Sequence, residues 1–298
     1  MSIAAIQTIN KGYDFKVRQV AVPHPTKKDN PKSGYFMNIR EDNDEILGWT
    51  TERYGLVHHK DVIDLADKAF EDRGIDVERK IIVTEGGAKL RAQYDLKGDM
   101  FKAEVPQVGD VMAYRLTAQN SMDRSLRLSY VLGLVRLICT NGMVTTEKEV
   151  EMTKKHSTNV NLGDILSSDA LDKALAKLKN SLDTYGRLAQ TAVTQEQGLT
   201  ILENLTSGKI FSEKVREAIA LIWNKPTHEE DKARNLYNLN NAVTQHVTHE
   251  VADSRFEYAN RVTTNVLRRF DLAARNPNRL KKLWTPAKEK DVVVTVTE

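Results

Sequence analysis

A single cysteine, Cys139, leaves the chain no partner for an internal disulfide, and its place in an apolar run fits a reducing compartment. No window approaches eighteen uninterrupted apolar residues. The opening stretch MSIAAIQTINKGYDF holds only a short apolar patch, far below a signal-peptide core, so neither a membrane span nor export is expected. An excess of one charge is missing as well: 44 basic residues face 41 acidic ones, a net charge of +3. The overall balance therefore names no polyanionic partner, and local clustering must decide. No internal repeat or low-complexity tract stands out. What is present is a 298-residue chain with 40% hydrophobic residues, enough for a real core. The expectation is a soluble, cytoplasmic protein.

The first half reads as β-rich. Tyr13, Phe15 and Val17 alternate with Asp14, Lys16 and Arg18, the period of a half-buried strand that stops at Pro23. His24 to Ser33, with two prolines and three lysines, reads as an exposed loop. Short strands are expected at 34–40 and 45–50, then a helix over 61–72 ended by Gly74. The segments 79–84 and 88–96 flank Gly86 and Gly87 and read as a β-hairpin, because two glycines supply the positive φ angles of a tight turn. Residues 110–118 and 126–139 read as a second antiparallel pair. After Thr153 the period changes to three and four. Helices are expected along Leu171 to Ala189 with Asp169 as cap, around Val215 to Ile222 before Pro226, along Leu239 to Val251, and from Phe256 to Ala273. The fold class is α+β, an antiparallel sheet with a packed helix followed by a helical second half. The expected organisation is a core over 1–155, helices over 156–285 and a basic, β-prone tail over 286–298.

Catalytic signals are few. Gly86-Gly87-Ala88 lacks the spacing and the Lys-Ser/Thr of a phosphate loop. His246 and His249, three apart on a helix, permit a metal pair by geometry but have no third ligand in view, and a helix-surface role accounts for them. Cys139 beside Leu137 and Ile138 reads as a buried thiol. Asn120, Asp123 and Asn141 form either a small polar site or simple turns. No acid-base dyad or triad stands out, so no enzyme activity, metal or cofactor is expected.

Basic clusters are the stronger signal. Residues 265–290 hold eight Lys or Arg against two acids, about +6, and 11–40 hold seven against two, about +5. The first of these clusters contains Arg268, Arg269, Arg275, Arg279, Lys281 and Lys282. Tyr13, Phe15, Tyr35, Phe36, Phe270 and Trp284 lie among the two and are available to stack on unpaired bases. The bland alternative is solvated helix faces and core aromatics. On the strand 126–139, strict alternation puts Arg127 on one face and Arg136 among leucines on the other. Either Arg136 is buried with a carboxylate, or a bulge at Gly133 aligns it with Arg127 and Arg115 in a row suited to phosphates.

LTAQNSMDRSLRLSYVLGLVRLICTNGM (116–143) resembles the signature of the phage- and plasmid-encoded domain-of-unknown-function proteins. GWTTERYGLVHHKDVIDLAD (48–67) and NLYNLNNAVTQHVTH (235–249) are similar to two further pieces of it. Met122 departs from the histidine usual there. The resemblance, with a fold-level likeness to phage single-strand annealing proteins, implies a bacterial host cell and nucleic-acid work. It implies a homo-oligomer, ring or filament, that binds single-stranded DNA during recombination or replication. The contacts would come from Lys89, Arg91, Arg115, Arg127, Arg136 and the C-terminal cluster. Six to ten phosphates would give a loss of roughly three to five decades of affinity from 50 to 200 mM salt. The rival is a host-takeover or anti-defence factor that binds protein alone.

Overall fold

The computed structural model describes residues 12–24, 26, 32–106, 108–137, 151–159, 163, 166–250 and 256–286. Cys139, Asn141 and residues 287–298, including Lys288 and Lys290, lie outside them, as do Lys11, Lys27 and Lys28. The fold is α+β. A first antiparallel sheet has the order β1 (Val17–Pro23), β2 (Lys32–Arg40), β3 (Ile46–Thr51). Helix α1 (His59–Glu71) follows. A second sheet is built from β4 (Val77–Thr84), β5 (Lys89–Leu96), β6 (Lys102–Glu104), β7 (Val111–Ser121), β8 (Leu128–Arg136) and β9 (Glu151–Lys154). Its order is β4-β5-β7-β8-β9, with β6 beside β7. The helices are α2 (Ser168–Gln190), α3 (Gln195–Ser207), α4 (Glu213–Asn224), α5 (Leu236–Gln245), α6 (Phe256–Ala274) and α7 (Pro277–Trp284), with a π-helical turn at His246–Glu250. None of the described helices is long and apolar enough to cross a membrane.

The contacts divide the chain into two compact units. The first gathers Met1–Lys102, Ala113–Gly133 and Thr146–Leu178, the second Ala103–Met112, Leu134–Thr145 and Lys179–Glu298.

In the first unit the expected hairpin forms: β4 and β5 pair antiparallel from Val77↔Leu96 to Thr84↔Lys89. Gly86 and Gly87 take φ of 64° and 113° in the turn, conformations that suit glycine. Along β5, Leu90, Ala92, Tyr94 and Leu96 are buried while Lys89, Arg91, Gln93 and Asp95 are half-buried, the alternation the sequence predicts. The buried row faces α1, whose His59, Val62, Ile63, Ala66 and Phe70 are buried. Tyr94 and Tyr130 fasten the contact by donating their hydroxyls to the carbonyls of Ile63 and Val62.

His59 lies at the start of α1 with no accessible surface. Its Nε2 is 2.9 Å from the Gly87 carbonyl and its Nδ1 3.0 Å from Asn120 Nδ2. The carbonyl can only accept, so Nε2 carries the proton and Nδ1 accepts from the amide. Burial is the main reason its pKa falls to about 4, which keeps the ring neutral.

In the second unit the helices pack through large side chains. Gly198 of α3 sits where a Cβ would lie 2.5 Å from Trp223 Nε1 of α4, so a bare backbone lets the indole close in. Trp223 donates to the Gln195 carbonyl at 3.1 Å, and the Arg234 guanidinium lies 4.5 Å from its ring. Helix α3, with only Ile201, Leu202 and Leu205 as large buried residues, and α7, with none buried, lack the long stripe that reveals a helix to sequence reading. The cap of α2 also differs from expectation. Ser167 Oγ accepts from the Ala170 amide at 3.3 Å, while Asp169 sits in the first turn bonded to Lys173.

Arg136, at the end of β8, is fully buried. Its Nη1 donates to Asp231 Oδ1 at 2.7 Å, and its Nη2 lies 2.7 Å from Asp110 Oδ2. Burial works against its charge, but the hydrogen bond to Asp110 and the charge of Asp231 outweigh it and hold the guanidinium protonated. Two carboxylates against one cation leave a surplus negative charge. Neutral donors absorb it: Tyr237 donates to Asp110 at 2.8 Å and Asn241 Nδ2 to Asp231 at 2.9 Å.

Two outcomes follow. Replacing Arg136 with Met leaves Asp110 and Asp231 buried with no cation between them and should cost about 3–5 kcal/mol, read as a lower urea midpoint. For His59 the folded pKa is depressed, so its contribution is complete above pH 6.5 and is lost as pH falls toward 4. His59→Gln should flatten the loss of stability between pH 6.5 and 4, measured by urea unfolding across that range.

Candidate nucleic-acid interface

The expected row of guanidiniums does not form. Lys89, Arg91 and Arg115 do share one face, since Arg91 pairs with Gln119 and Asp95 with Arg115 across β5 and β7. Arg115 is neutralised in place by Asp95, its Nε 2.5 Å from Oδ1 and its Nη2 2.9 Å from Oδ2. Arg136 is withdrawn entirely, for the physical reason given above: it is buried between two carboxylates and has no surface to offer a phosphate. Its alternative reading, a partnered core arginine, is the one that holds. Two cations of the basic stretch over 11–40 are committed as well. Arg18 pairs with Asp44 at 2.6 Å. Arg40 pairs with Asp42, donates to the Gly86 carbonyl and lies 3.9 Å above the ring of buried Phe15. Phe270 is buried as well, so neither of these two aromatics can stack on a ligand. Asn120 is tied to Val57 and His59, and Asp123 accepts from the amide and hydroxyl of Ser125, so both have structural duty. Among the described residues no three His, Cys, Asp or Glu gather as a metal set.

Arg127 is different, because it is exposed and has company. A concavity of about 350 Å³ in the first unit is lined by Thr51, Arg53, Tyr54, Arg124, Leu126, Arg127, Lys155 and His156. Its four cations come from three stretches of chain: the exit of β3, the turn between β7 and β8, and the residue after β9. Among the described residues none of the four has a carboxylate at ion-pair distance. The turn is held by Asp123, and Arg124 takes φ of 69°, a left-handed conformation that costs a non-glycine residue roughly 1 kcal/mol.

The floor is rigid. Tyr54 stacks on His156 with centroids 4.8 Å apart and an interplanar angle of 18°, and its hydroxyl donates to the Ser121 carbonyl at 2.6 Å. Burial raises the Tyr54 pKa, so the phenol stays neutral. Burial lowers that of His156, which bonds through Nδ1 to the Gly55 carbonyl at 3.2 Å. Gly55 is required here: a Cβ would lie 2.0 Å from the Ser157 carbonyl oxygen. A rigid aromatic floor under four unneutralised cations is a place for phosphate oxygens, which guanidinium groups grip in a bidentate fashion.

The second unit has a basic concavity of its own, about 440 Å³, lined by Asn204, Leu205, Arg269, Arg279, Lys282 and Leu283. Here the expected C-terminal cluster is brought together in part. Arg268, Arg275 and Lys281 are exposed but do not line it, and Arg275 is bound to Asp271 at 2.9 Å. Asn204 Nδ2 donates to the carbonyls of Leu283 and Thr285, fixing the end of α7 against α3.

Arg53, Arg124 and Lys155 were not among the expected contacts. In sequence they lie outside the two basic clusters and are spread over a hundred residues, and only the folded chain collects them. The linear hints are the pair Arg124 and Arg127 in a turn and the adjacent Lys154 and Lys155. If the concavity holds phosphate, inorganic phosphate at ten times its Kd should stabilise the chain by about 1.4 kcal/mol. Measured as a Tm shift against chloride of equal ionic strength, the increment should vanish in Arg53→Ala/Arg127→Ala.

No curated protein and no solved structure matches the chain. Residues 46–284, well over half of the sequence and including all four cations of the first concavity, match the family described as Domain of unknown function (DUF932), and the chain belongs to that family.

Proposed function

We infer that this protein binds single-stranded DNA without cleaving it and brings complementary strands together, as in the annealing steps of recombination or replication in a phage or plasmid. The observation that carries the reading is the concavity of Arg53, Arg124, Arg127 and Lys155, where four cations stand together without carboxylate partners among the described residues. Arg18, Lys60 and Lys97 elsewhere on the described surface are by contrast each paired with an acid. Crowding like charges is unfavourable unless an anion offsets it, and a phosphate backbone is the anion that spans several cations at once.

The second concavity, with Arg269, Arg279 and Lys282, supports the annealing part. A chain with two phosphate-holding sites can engage two strands, or two stretches of one, and the second engagement gains from effective concentration. An oligomeric ring or filament would multiply that effect.

Seven phosphate contacts give a slope of log affinity against log salt near −5 on a single strand, or about three decades lost between 50 and 200 mM. Fluorescence anisotropy with a labelled oligonucleotide should show this slope. Arg53→Ala/Arg127→Ala should reduce it by about 1.4, since each lost contact removes about 0.7. Absence of binding at 50 mM salt would end this reading.

A further inference from the structure

The outer face of the first sheet carries exposed aromatic residues that the packing of the core does not use. Antiparallel pairing sets Met37 against Val20 on one side and Trp49 on the other, and Tyr35 against Thr51. Residues directly opposed in a sheet point the same way, so Val20, Tyr35, Met37, Trp49 and Thr51 share one face. The opposite face is the packed one. Asn38 donates to the Met122 carbonyl at 2.5 Å, and a Cβ on Gly48 would lie 2.6 Å from the Asp123 Cα. Tyr35 is 52% and Trp49 49% accessible. Two aromatic rings on diagonal sites of one pair of strands are within reach of each other, and here both are about half exposed.

Position names the occupant. Trp49 and Thr51 are two residues apart on β3 and face the same way, roughly 7 Å along the strand. Thr51 already lines the basic concavity, and Arg53 lies one step further. The aromatic face thus meets the concavity at Thr51, at the end of β3. A ligand that answers both is a chain of phosphates carrying flat apolar groups, which describes a nucleic-acid strand with its bases unpaired. We propose that Trp49 and Tyr35 form a stacking platform for unpaired nucleobases whose phosphates are held by Arg53, Arg124, Arg127 and Lys155. This rests on the phosphate reading of that concavity and adds to it the selection of single strands over duplex. In a duplex the base faces are covered by their neighbours, so the platform would meet only sugar and phosphate.

The test compares three labelled probes on the full chain by anisotropy at low salt: a twelve-residue oligo-dT, an abasic phosphodiester chain of equal length, and a twelve-base-pair duplex. One or two stacked bases should make oligo-dT bind roughly ten- to a hundredfold tighter than the abasic chain. Trp49→Ala and Tyr35→Ala should each remove most of that ratio while leaving abasic binding and its salt slope unchanged. Trp49→Phe, which keeps a ring, should retain it and guards against a folding defect. Equal binding of oligo-dT and the abasic chain to the unmodified protein overturns the platform and leaves the phosphate reading standing. Failure to bind any of the three overturns both. A base preference that survives Trp49→Ala and Tyr35→Ala overturns the assignment of stacking to these residues. If Trp49→Ala instead converts an oligomer to a monomer in sedimentation with the base preference intact, the face belongs to a second copy of the chain and the proposal fails.

Discussion

Arg136 cannot leave its place between Asp110 and Asp231. A guanidinium buried with no accessible surface must keep its partners, because breaking one such contact leaves a charge in a medium that cannot solvate it. The pairings tie the end of β8 to the residue just before β7, to the short 3-10 turn at Glu229–Lys232 that presents Asp231, and to α5 through Tyr237 and Asn241. Four segments of the second unit are thereby fixed around one cation. Each neutral donor in the network spreads the surplus negative charge, so the unit tolerates two carboxylates where one would balance. Asn238 serves the same end from the rim, donating to the carbonyls of Glu230 and Ala233 and so holding the turn that carries Asp231.

Among the described cations, two groups stand apart. Arg136, Arg115, Arg40 and Arg187 are structural, each matched to a carboxylate and each with its geometry already spent. Arg53, Arg124, Arg127 and Lys155, and in the second unit Arg269, Arg279 and Lys282, are held near one another with no carboxylate partner among the described residues. The first kind contributes to folding. The second has no such part in folding, and its clustering is what the proposed phosphate binding rests on. The rigid Tyr54-His156 floor adds preorganisation, because a ligand that meets it need not order those side chains itself.

Much of the fold is legible in the sequence, and the reasons are local. Gly86-Gly87 marks a hairpin because those φ angles suit glycine, and the alternation of Lys89 to Leu96 shows which face is buried. The stripes of α1, α2 and α6 repeat at three and four over several turns. Helices α3 and α7 escape because one carries few large apolar residues, with a glycine that exists only for Trp223, and the other buries nothing. The strand β8 is the instructive case. Alternation alone reduced Arg136 to two fates, a bulge or a buried pair, but its carboxylates lie 26 residues before it and 95 after it, beyond any local pattern. The site is less legible for the same reason. Arg127 is visible, yet its companions come from separate stretches of chain, and Trp49 lies outside the basic clusters, one of which contains Tyr35.

The central claim is that an unpaired strand lies across the outer face of β3 and into the concavity beside it. Photocrosslinking of a 4-thiothymidine oligonucleotide, with the adducts located by peptide mass spectrometry, reads that path directly. The account predicts adducts on Tyr35 or Trp49 and on the peptides that carry Arg53, Arg124 to Arg127 and Lys155, all suppressed by high salt. Adducts confined to other surfaces of the first unit, or none at low salt, would contradict it.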